Sequence, residues 1–558
     1  MIDNLDFENQ KEFIKKLANT MSRDELIPFL LSFARKAGMK KFRSRASEEI
    51  MRLTKPAEVI PNIYSEYRQI VRDGILFLLS NFSPQRLAGL VADQILLGEN
   101  VTTEERLITL AMQIPTLHKL GQIIARNRNM EPSFKTWMIR LENDFHRTDI
   151  ADVRKKISAE IDDDIITFSI RIADEILAEA SVGIVVPFTW KAPGTDIRRK
   201  GVFKVLKPGV LRHLREELEM LDELARFFDQ NRQNYSLKNF RFIETFRDIK
   251  EALQKETNLS GEQVNLRKAF LVYGEDKTAR IPRLITFSTE NITIMEQMEG
   301  CKITDVPMSS ADRKMCAKTL FKTVIGSPLF SSEEWTFFHG DPHAGNIYGF
   351  KDKKDGPTKL ALLDWSQAGY LSKEQRIKML RLAIGVISRD EKGICQAVGE
   401  LSVDAPGENS PFFENTRKMI RDVLASRDYG ACRFAKKLFW IIDQMAVKGI
   451  QFPRDLLLFR KSFFTLEGVL YDIDPEFDMD TSVIGLLETL FLEELPKRWM
   501  YLMFPHSDSP GNYKLPLSNS DLHMLASRLF FEGFKKGSET LSVFVERNMS
   551  FWNVMRET

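Results

Sequence analysis

The chain has 558 residues, which at roughly 150 residues per domain predicts about three or four domains. Hydrophobic residues make up 43% and charged residues 28%, enough for a large core and too apolar for a mostly disordered chain. Lys+Arg 80 against Asp+Glu 78 leaves +2, which argues against a dedicated nucleic-acid binder with its basic stripe.

Cysteine usage adds a compartment. Cys301, Cys316, Cys395 and Cys432 stand far apart without a C-x-x-C pair, so a zinc ribbon or thioredoxin-type motif is not expected. Sparse thiols suit a reducing compartment and predict a cytoplasmic protein. The opening Met1-Ile2-Asp3-Asn4-Leu5-Asp6 is acidic and lacks the apolar core of a secretory signal. The greasiest runs, Gly74–Leu79 and Leu438–Ile442, fall far short of the ~20 residues needed to span a bilayer.

In chain order, residues 1–100 read as a helical region. Ser22-Arg23-Asp24-Glu25 is a capping-box pattern, and Ser83-Pro84 places an N-cap before a proline at the first helical position. Residues 101–180 continue the helical pattern. Thr102 and Glu105 open a helix whose apolar positions Leu107, Leu110, Ala111 and Ile114 recur at helical spacing. From 181 to 300 the period changes. Val182–Phe188 is rich in β-branched residues, Pro193-Gly194 supplies a turn, and Gly201–Leu206 predicts a second strand, together a hairpin. A charged helix is predicted from Val210 to about Asp229, with further strands at Ile281–Phe287, Ile292–Glu296 and Leu360–Asp364. From 301 to 470 a mostly helical lobe follows, and 471–558 is a second terminal helical region. Pro/Gly/Ser-rich breaks fall near Asp404–Pro411 and Ser507–Tyr513. The expected fold class is α+β, a small mixed-sheet lobe set among helices.

The chemistry concentrates in Phe338-His339-Gly340-Asp341-Pro342-His343-Ala344-Gly345-Asn346 and Leu362-Leu363-Asp364. An acid and an amide five residues apart, then a second acid at a strand end, meet the needs of phosphoryl transfer. One carboxylate orients a nucleophile, while the amide and second carboxylate hold the metal that offsets phosphate charge. The competing reading makes His339, Asp341 and His343 turn-capping loop residues or a transition-metal site. Upstream, Val202-Phe203-Lys204-Val205-Leu206 sets one lysine in an apolar strand, on the face shared by Val202 and Leu206. Such a lysine wants phosphate oxygens or a buried glutamate, unless it merely snorkels from an edge strand. Glu256, Glu262 and Asn265 are candidate helix partners, and Ile294–Met298 follows as a candidate adenine-binding hinge.

In this order the motifs resemble those of the UbiB/ADCK family of atypical protein-kinase-like proteins. Lys119-Leu120-Gly121-Gln122 resembles the family's K-x-G-Q element, with Arg128 and Pro132 following. Ala178-Glu179-Ala180-Ser181-Val182-Gly183 resembles the alanine-rich loop that stands in for a glycine-rich one. Val202–Val205 and Lys207-Pro208-Gly209-Val210 resemble the nucleotide-lysine strand and the segment after it. Glu256 and Glu262–Asn265 resemble the E-x-D and E-A-x-N pair, and Met295-Glu296 with Glu299-Gly300 the hinge. The resemblance runs from about residue 105 to 375.

The resemblance implies a bilobal kinase-like fold with added helices at both ends, and ATP and Mg²⁺ as cofactors. Lys204 would contact the α- and β-phosphates and pair with Glu262, beside Ala180 and Ser181 of the loop and Glu296 and Met298 of the hinge. Asp341 would take the catalytic-base position, with Asn346 and Asp364 on the metal. Lys119 and Gln122 would cover the active site, with Lys119 reaching Glu256, and so keep protein substrates out. Departures from the pattern are specific. Asp364-Trp365-Ser366 lacks the glycine of a switching loop, Asn258 replaces an aspartate, and Glu179 brings a charge that would oppose ATP unless it points away. Ile184, Val186 and Ala344 also depart, and C-terminal spanning helices known in some members are not expected.

Three functional readings follow. The first is an ATP- and Mg²⁺-dependent ATPase or phosphotransferase acting on a small-molecule or lipid-linked substrate, supporting quinone or isoprenoid-lipid metabolism by family analogy. The second is a pseudokinase scaffold regulated by nucleotide. The third is an aminoglycoside- or choline-kinase-type phosphotransferase, against which the Lys119–Gln122 element speaks. The segments Leu486–Leu495 and Leu525–Phe534 are amphipathic, with Arg528, Lys535 and Lys536 beside the second. They fit core packing or, less directly, a peripheral membrane contact.

Overall fold

A computed structural model describes residues 20–60, 65, 67–98, 100–117, 119, 148–180, 182–235, 242–274, 279–351, 356–387, 389–403, 411–425, 434–503, 513 and 517–523. The chain divides into two compact units, one comprising residues up to Gln263 with Leu284–Gln297, the other Val264–Arg283 with Met298 onward. The α+β class expected from the sequence is what the structure has, many helices with small sheets among them.

In the first unit, α1 (Arg23–Ala37), α2 (Met39–Thr54), α3 (Arg68–Asn81), α4 (Pro84–Leu96) and α5 (Thr103–Met112) form the N-terminal helices. The capping boxes read from sequence close them: the Ser22 N–H donates to Glu25 Oε2 at 2.9 Å, and Thr102 and Glu105 satisfy each other reciprocally. These helices share one core with α8 (Val210–Gln230) and α9 (Phe242–Glu256). The apolar stripe of α8, Leu214, Leu221, Leu224 and Phe228, is buried there. Gly74 lies against the Phe228 ring, where a Cβ would come within 3.2 Å, so the close approach of α3 and α8 favours a glycine.

The small sheet of this unit runs β1–β3–β4–β6, with β2 added beside β3. Its members are β1 (Arg171–Ile172), β2 (Ala178–Glu179), β3 (Gly183–Lys191), β4 (Arg198–Leu206) and β6 (Ile292–Glu296). Strand alternation sends Ile184, Val186, Phe188, Phe203, Val205, Ile292 and Ile294 to one face. There they pack on Val153 and Ile157 of α6 (Ile150–Glu160), which the short α7 (Asp162–Thr167) follows, with the Phe188 and Phe203 rings stacked at 4.1 Å. Two expectations fail here. The helical pattern does not continue to residue 180, because Ile172 and Ala178 find antiparallel partners on β3. Ile281–Phe287 is not a strand; Leu284 makes an isolated bridge to Met295, and the pairing segment is β5 (Ala279–Arg280) instead. Ile285 and Phe287 are apolar because they fill the core beneath β6.

In the second unit, β5 pairs in parallel with β10 (Lys359–Leu362), which continues through β9 (Ile347–Phe350) to β7 (Cys301–Lys302). A separate antiparallel pair joins β8 (Trp335–His339) to β11 (Ala368–Ser372). Helices α10 (Leu259–Tyr273, which begins in the first unit), α11 (Ser310–Phe321), α12 (Lys373–Ile387), α13 (Glu391–Leu401), α14 (Pro411–Ala425), α15 (Phe434–Val447), α16 (Arg454–Ile473) and α17 (Met479–Met503) complete the described elements. Leu486, Leu487 and Leu490 of α17 pack on Phe330, Leu380, Ile384 and Leu517, so the first of the two amphipathic segments is a core-packing one. Leu525–Phe534 lies outside the described residues. Among the described residues, no helix is long and apolar enough to cross a membrane.

One titration is built into this fold. Burial, with Arg86 and Arg212 nearby, pushes His213 on α8 down to about 4. Its folded value is below the unfolded ~6.5, so its stabilising contribution is complete above pH 6.5 and is lost as pH falls from 6.5 toward 4. Thermal unfolding of the wild type should therefore drop steeply over that window, and His213→Gln should flatten the drop. Superimposable midpoint-versus-pH curves would refute this.

Candidate functional site

The site's parts are built separately in the two units. In the first, Lys204 lies on β4 opposite Val185 of β3 and Thr293 of β6, on the face turned away from the Phe203 and Val205 core. Its ammonium is 2.6 Å from Glu262 Oε1, with side chains 14% and 3% exposed. A lone cation at that depth would be costly, and the carboxylate offsets its desolvation. Glu262 is in the first turn of α10, where the helix dipole favours an anion. Asn258 starts that helix by accepting the Gly261 N–H on Oδ1 at 2.9 Å. Asparagine caps as well as aspartate, so the departure at this position keeps the cap and drops the charge. Gln263 secures the helix to β6, its Nε2 donating to the Thr289 carbonyl at 2.6 Å.

Lys119 is buried and its ammonium pairs with Glu256 at the end of α9. The element carrying Lys119 is anchored just before it: the Thr116 N–H donates to Glu217 Oε2 at 2.7 Å, and Glu217, fully buried on α8, pairs with Arg86 of α4. Ala180 is exposed in the tight connection from β2 to β3, its N–H bonded to the Gly183 carbonyl at 2.8 Å. The adjacent Glu179 is matched by Lys207 at 2.8 Å and accepts from Thr148 Oγ1 at 2.9 Å. Its charge is thus compensated within the fold. Glu296 closes β6, half-buried, and Met298 belongs to the second unit. Ser181 and Gln122 lie outside the described residues.

In the second unit, His339 ends β8 and is buried. Its Nε2 lies 2.8 Å from the Leu363 carbonyl, and its Nδ1 accepts the Asp341 N–H at 3.1 Å. That network assigns the proton to Nε2, and burial holds the imidazole below its ordinary pKa. Both ring nitrogens are spent on backbone, and His343 Nδ1 accepts the Gly345 N–H. His339 therefore has no ring nitrogen left for a metal, and among the described residues no group of three or more His, Cys, Asp and Glu side chains is placed to hold one. Asn346 Nδ2 donates to the Asp341 carbonyl at 3.1 Å, which orients its amide oxygen away from that bond. The Leu363 N–H on the Asn346 carbonyl, 2.8 Å, joins the catalytic-type loop to the Asp364 segment. Asp364 has φ +49°, a left-handed turn that Asp tolerates better than most residues. Ser366 N–H closes it on Asp364 Oδ1 at 3.1 Å.

Trp365 is a core side chain. It stacks on Phe337 at 5.4 Å and touches His339 and Tyr273. Its carbonyl accepts from Asn265 Nδ2 at 3.0 Å. The loop that lacks a glycine is therefore fastened on both sides. A carboxylate and an amide oxygen are hard donors suited to Mg²⁺, so Asp364 and Asn346 fit the ion that the resemblance implies.

Sequence reading overlooked a second support. Helix α16 docks on the loop through Leu458, which leaves about 3.0 Å for any Cβ at Gly340, and through Ser462, whose Oγ donates to the His339 carbonyl at 2.7 Å. Lys461 Nζ sits 3.6 Å from Asp341 Oδ2 and 2.7 Å from Gln367 Oε1. The readable signal was a serine inside an apolar helical stripe with Phe459, Phe463 and Leu466.

A profile described as the ABC1 atypical kinase-like domain matches residues 140–398. A Shewanella oneidensis protein named probable protein kinase UbiB is 25% identical over 78% of this chain and 77% of its own. One of the same name from Actinobacillus pleuropneumoniae is 21% identical over 68% and 70%. A solved Mycobacterium tuberculosis protein, captured with erythromycin, is 16% identical, at TM-score 0.37 over 57% of this chain and 79% of its own.

Ser462→Ala should destabilise the second unit by about 1–3 kcal/mol, the cost of stranding a buried carbonyl. Chemical denaturation followed by tryptophan fluorescence would read it, and an unchanged midpoint would remove α16 as the loop's support.

Proposed function

We propose that the chain is a UbiB-type atypical kinase-like protein that binds Mg²⁺-ATP and transfers or hydrolyses its terminal phosphoryl group. The observation that carries this is the Lys204–Glu262 pair, which kinase-type sites need in place before phosphates are held productively. Lys204 would take the α- and β-phosphates. Asn346 and Asp364 would hold Mg²⁺, which supplies neutralisation of phosphate charge when bound. Asp341 would accept the proton of the attacking hydroxyl or water. The Lys119–Glu256 pair supports an acceptor that is a small molecule or lipid-linked rather than a polypeptide, and the relatives' family suggests quinone or isoprenoid-lipid metabolism. Ile484, Leu492, Trp499 and Met500, exposed on α17, support a peripheral lipid contact.

A second reading, a nucleotide-regulated scaffold, is favoured by the fastening of Asp364-Trp365-Ser366, which resists the loop exchange of a switching kinase. ADP release from Mg²⁺-ATP by purified protein, with and without anionic liposomes, separates the two. Asp341→Asn should lower turnover about 10²-fold or more while keeping nucleotide-dependent thermal stabilisation. Asp364→Asn should lose both. Saturating nucleotide at about a hundred times its dissociation constant should add about 2.7 kcal/mol of stability. Equal ADP release by wild type and Asp341→Asn would make the protein a scaffold, and stimulation by liposomes would direct the acceptor search to lipids.

A further inference from the structure

We propose that Lys461, on α16 and about 120 residues beyond the catalytic-type loop in sequence, binds the terminal phosphoryl group that Asp341 serves. The inference rests on the Mg²⁺-ATP reading above. The loop His339–Asn346 contains no lysine or arginine, and its two imidazoles make hydrogen bonds to backbone. Phosphoryl transfer gathers charge on the equatorial oxygens, and catalysis consists mainly of positioning and neutralising it. The loop therefore cannot supply a permanent cation for that charge from within itself.

Lys461 brings one from another element. Its ammonium stands 3.6 Å from Asp341 Oδ2, longer than the ~2.7–2.9 Å of a charge-assisted hydrogen bond. Its short bond, 2.7 Å, goes to Gln367 Oε1. Gln367 is buried, and its own carbonyl accepts the Gly340 N–H at 2.8 Å. The ammonium is thus held beside the acid by a side chain that is itself fixed to the loop. The lysine is 39% exposed and the carboxylate 8%, so the cation occupies the more open edge of the acid.

Distances place it within reach of a phosphoryl group. An acceptor oxygen served by Asp341 lies ~2.6–3.2 Å from the carboxylate, and the reacting phosphorus ~3–3.5 Å farther. A cation 3.6 Å from the same carboxylate meets the phosphoryl oxygens by side-chain torsion alone. Lysine suits this as a compact, mobile point charge. No bond is made or broken at Lys461; it attracts the oxygens before and during transfer to the acceptor.

The decisive experiment compares Mg²⁺-ATP and Mg²⁺-ADP affinities by calorimetry for wild type, Lys461→Met, Lys461→Gln and Lys461→Arg, with turnover measured in parallel. The expected result is that the Met and Gln variants bind ATP about tenfold more weakly and ADP within about twofold, losing discrimination for the terminal phosphate, while turnover falls about 10²-fold. Lys461→Arg should recover most of the ATP preference. Unfolding midpoints of the four proteins establish that each is folded, and the two neutral variants guard against one failing to fold. Unchanged ATP-over-ADP preference in both neutral variants overturns the proposal, even if turnover falls, because the lysine would then only buttress the loop. Failure of the wild type to bind Mg²⁺-ATP overturns the functional reading itself and this inference with it. Wild-type binding with turnover unaffected by Asp341→Asn overturns the enzymatic reading alone, and the affinity ratio still decides Lys461.

Discussion

The need to match charge that is withdrawn from water governs the first unit. Lys204 with Glu262, Lys119 with Glu256, Arg86 with Glu217 and Lys207 with Glu179 are all largely buried pairs. Each partner alone would carry a desolvation penalty of several kcal/mol, and removing one member of such a pair typically costs about 3–5 kcal/mol. The pairs also join segments distant in sequence. Arg86 links α4 to α8, Glu217 links α8 to the residues before Lys119, and Lys119 links that element to α9. Charge matching thus does for this unit what a continuous sheet does elsewhere: it fixes which segments are neighbours. Apolar burial supplies the bulk of the stability, and the ion pairs supply the specificity of placement.

The second unit solves a different problem. Its loop holds Asp341, Asn346 and Asp364 without the conformational reserve of a glycine after Asp364. It does so by saturating the backbone: the His339 ring, the Asn346 amide, the Gln367 carbonyl and the Ser462 hydroxyl each take one loop N–H or carbonyl. Trp365 fills the space behind the turn against Phe337 and Tyr273. Such a loop favours preorganised electrostatics over switching.

Two departures from the family pattern change meaning once seen in place. Glu179, which in sequence threatens bound phosphate, has its charge met by Lys207, a residue of the segment immediately after β4. Asn258 retains the capping of α10 while giving up a charge. Neither abolishes the arrangement around Lys204. The turn at Asp364 is the departure with a structural consequence, because a tryptophan there becomes part of the core.

Local chemistry was legible in the residues themselves. The capping boxes at Ser22 and Thr102, the hairpin of β3 and β4, the α8 stripe and the order of the Lys204, Glu262, Asp341, Asn346 and Asp364 motifs depend on neighbours within a few positions, or on a spacing that chemistry imposes. Elements that need a distant partner were not. Ile172 and Ala178 became strand because β3 offered hydrogen bonds, and Ile285 and Phe287 stayed out of the sheet because the core beneath β6 needed apolar volume. Lys461, Gln367 and Ser462 carry no motif; they acquired a role when α16 packed against Gly340 and Gly369. Spacing along a chain encodes what is bonded locally, whereas which cation stands beside which acid across more than a hundred residues is decided by how the helices pack.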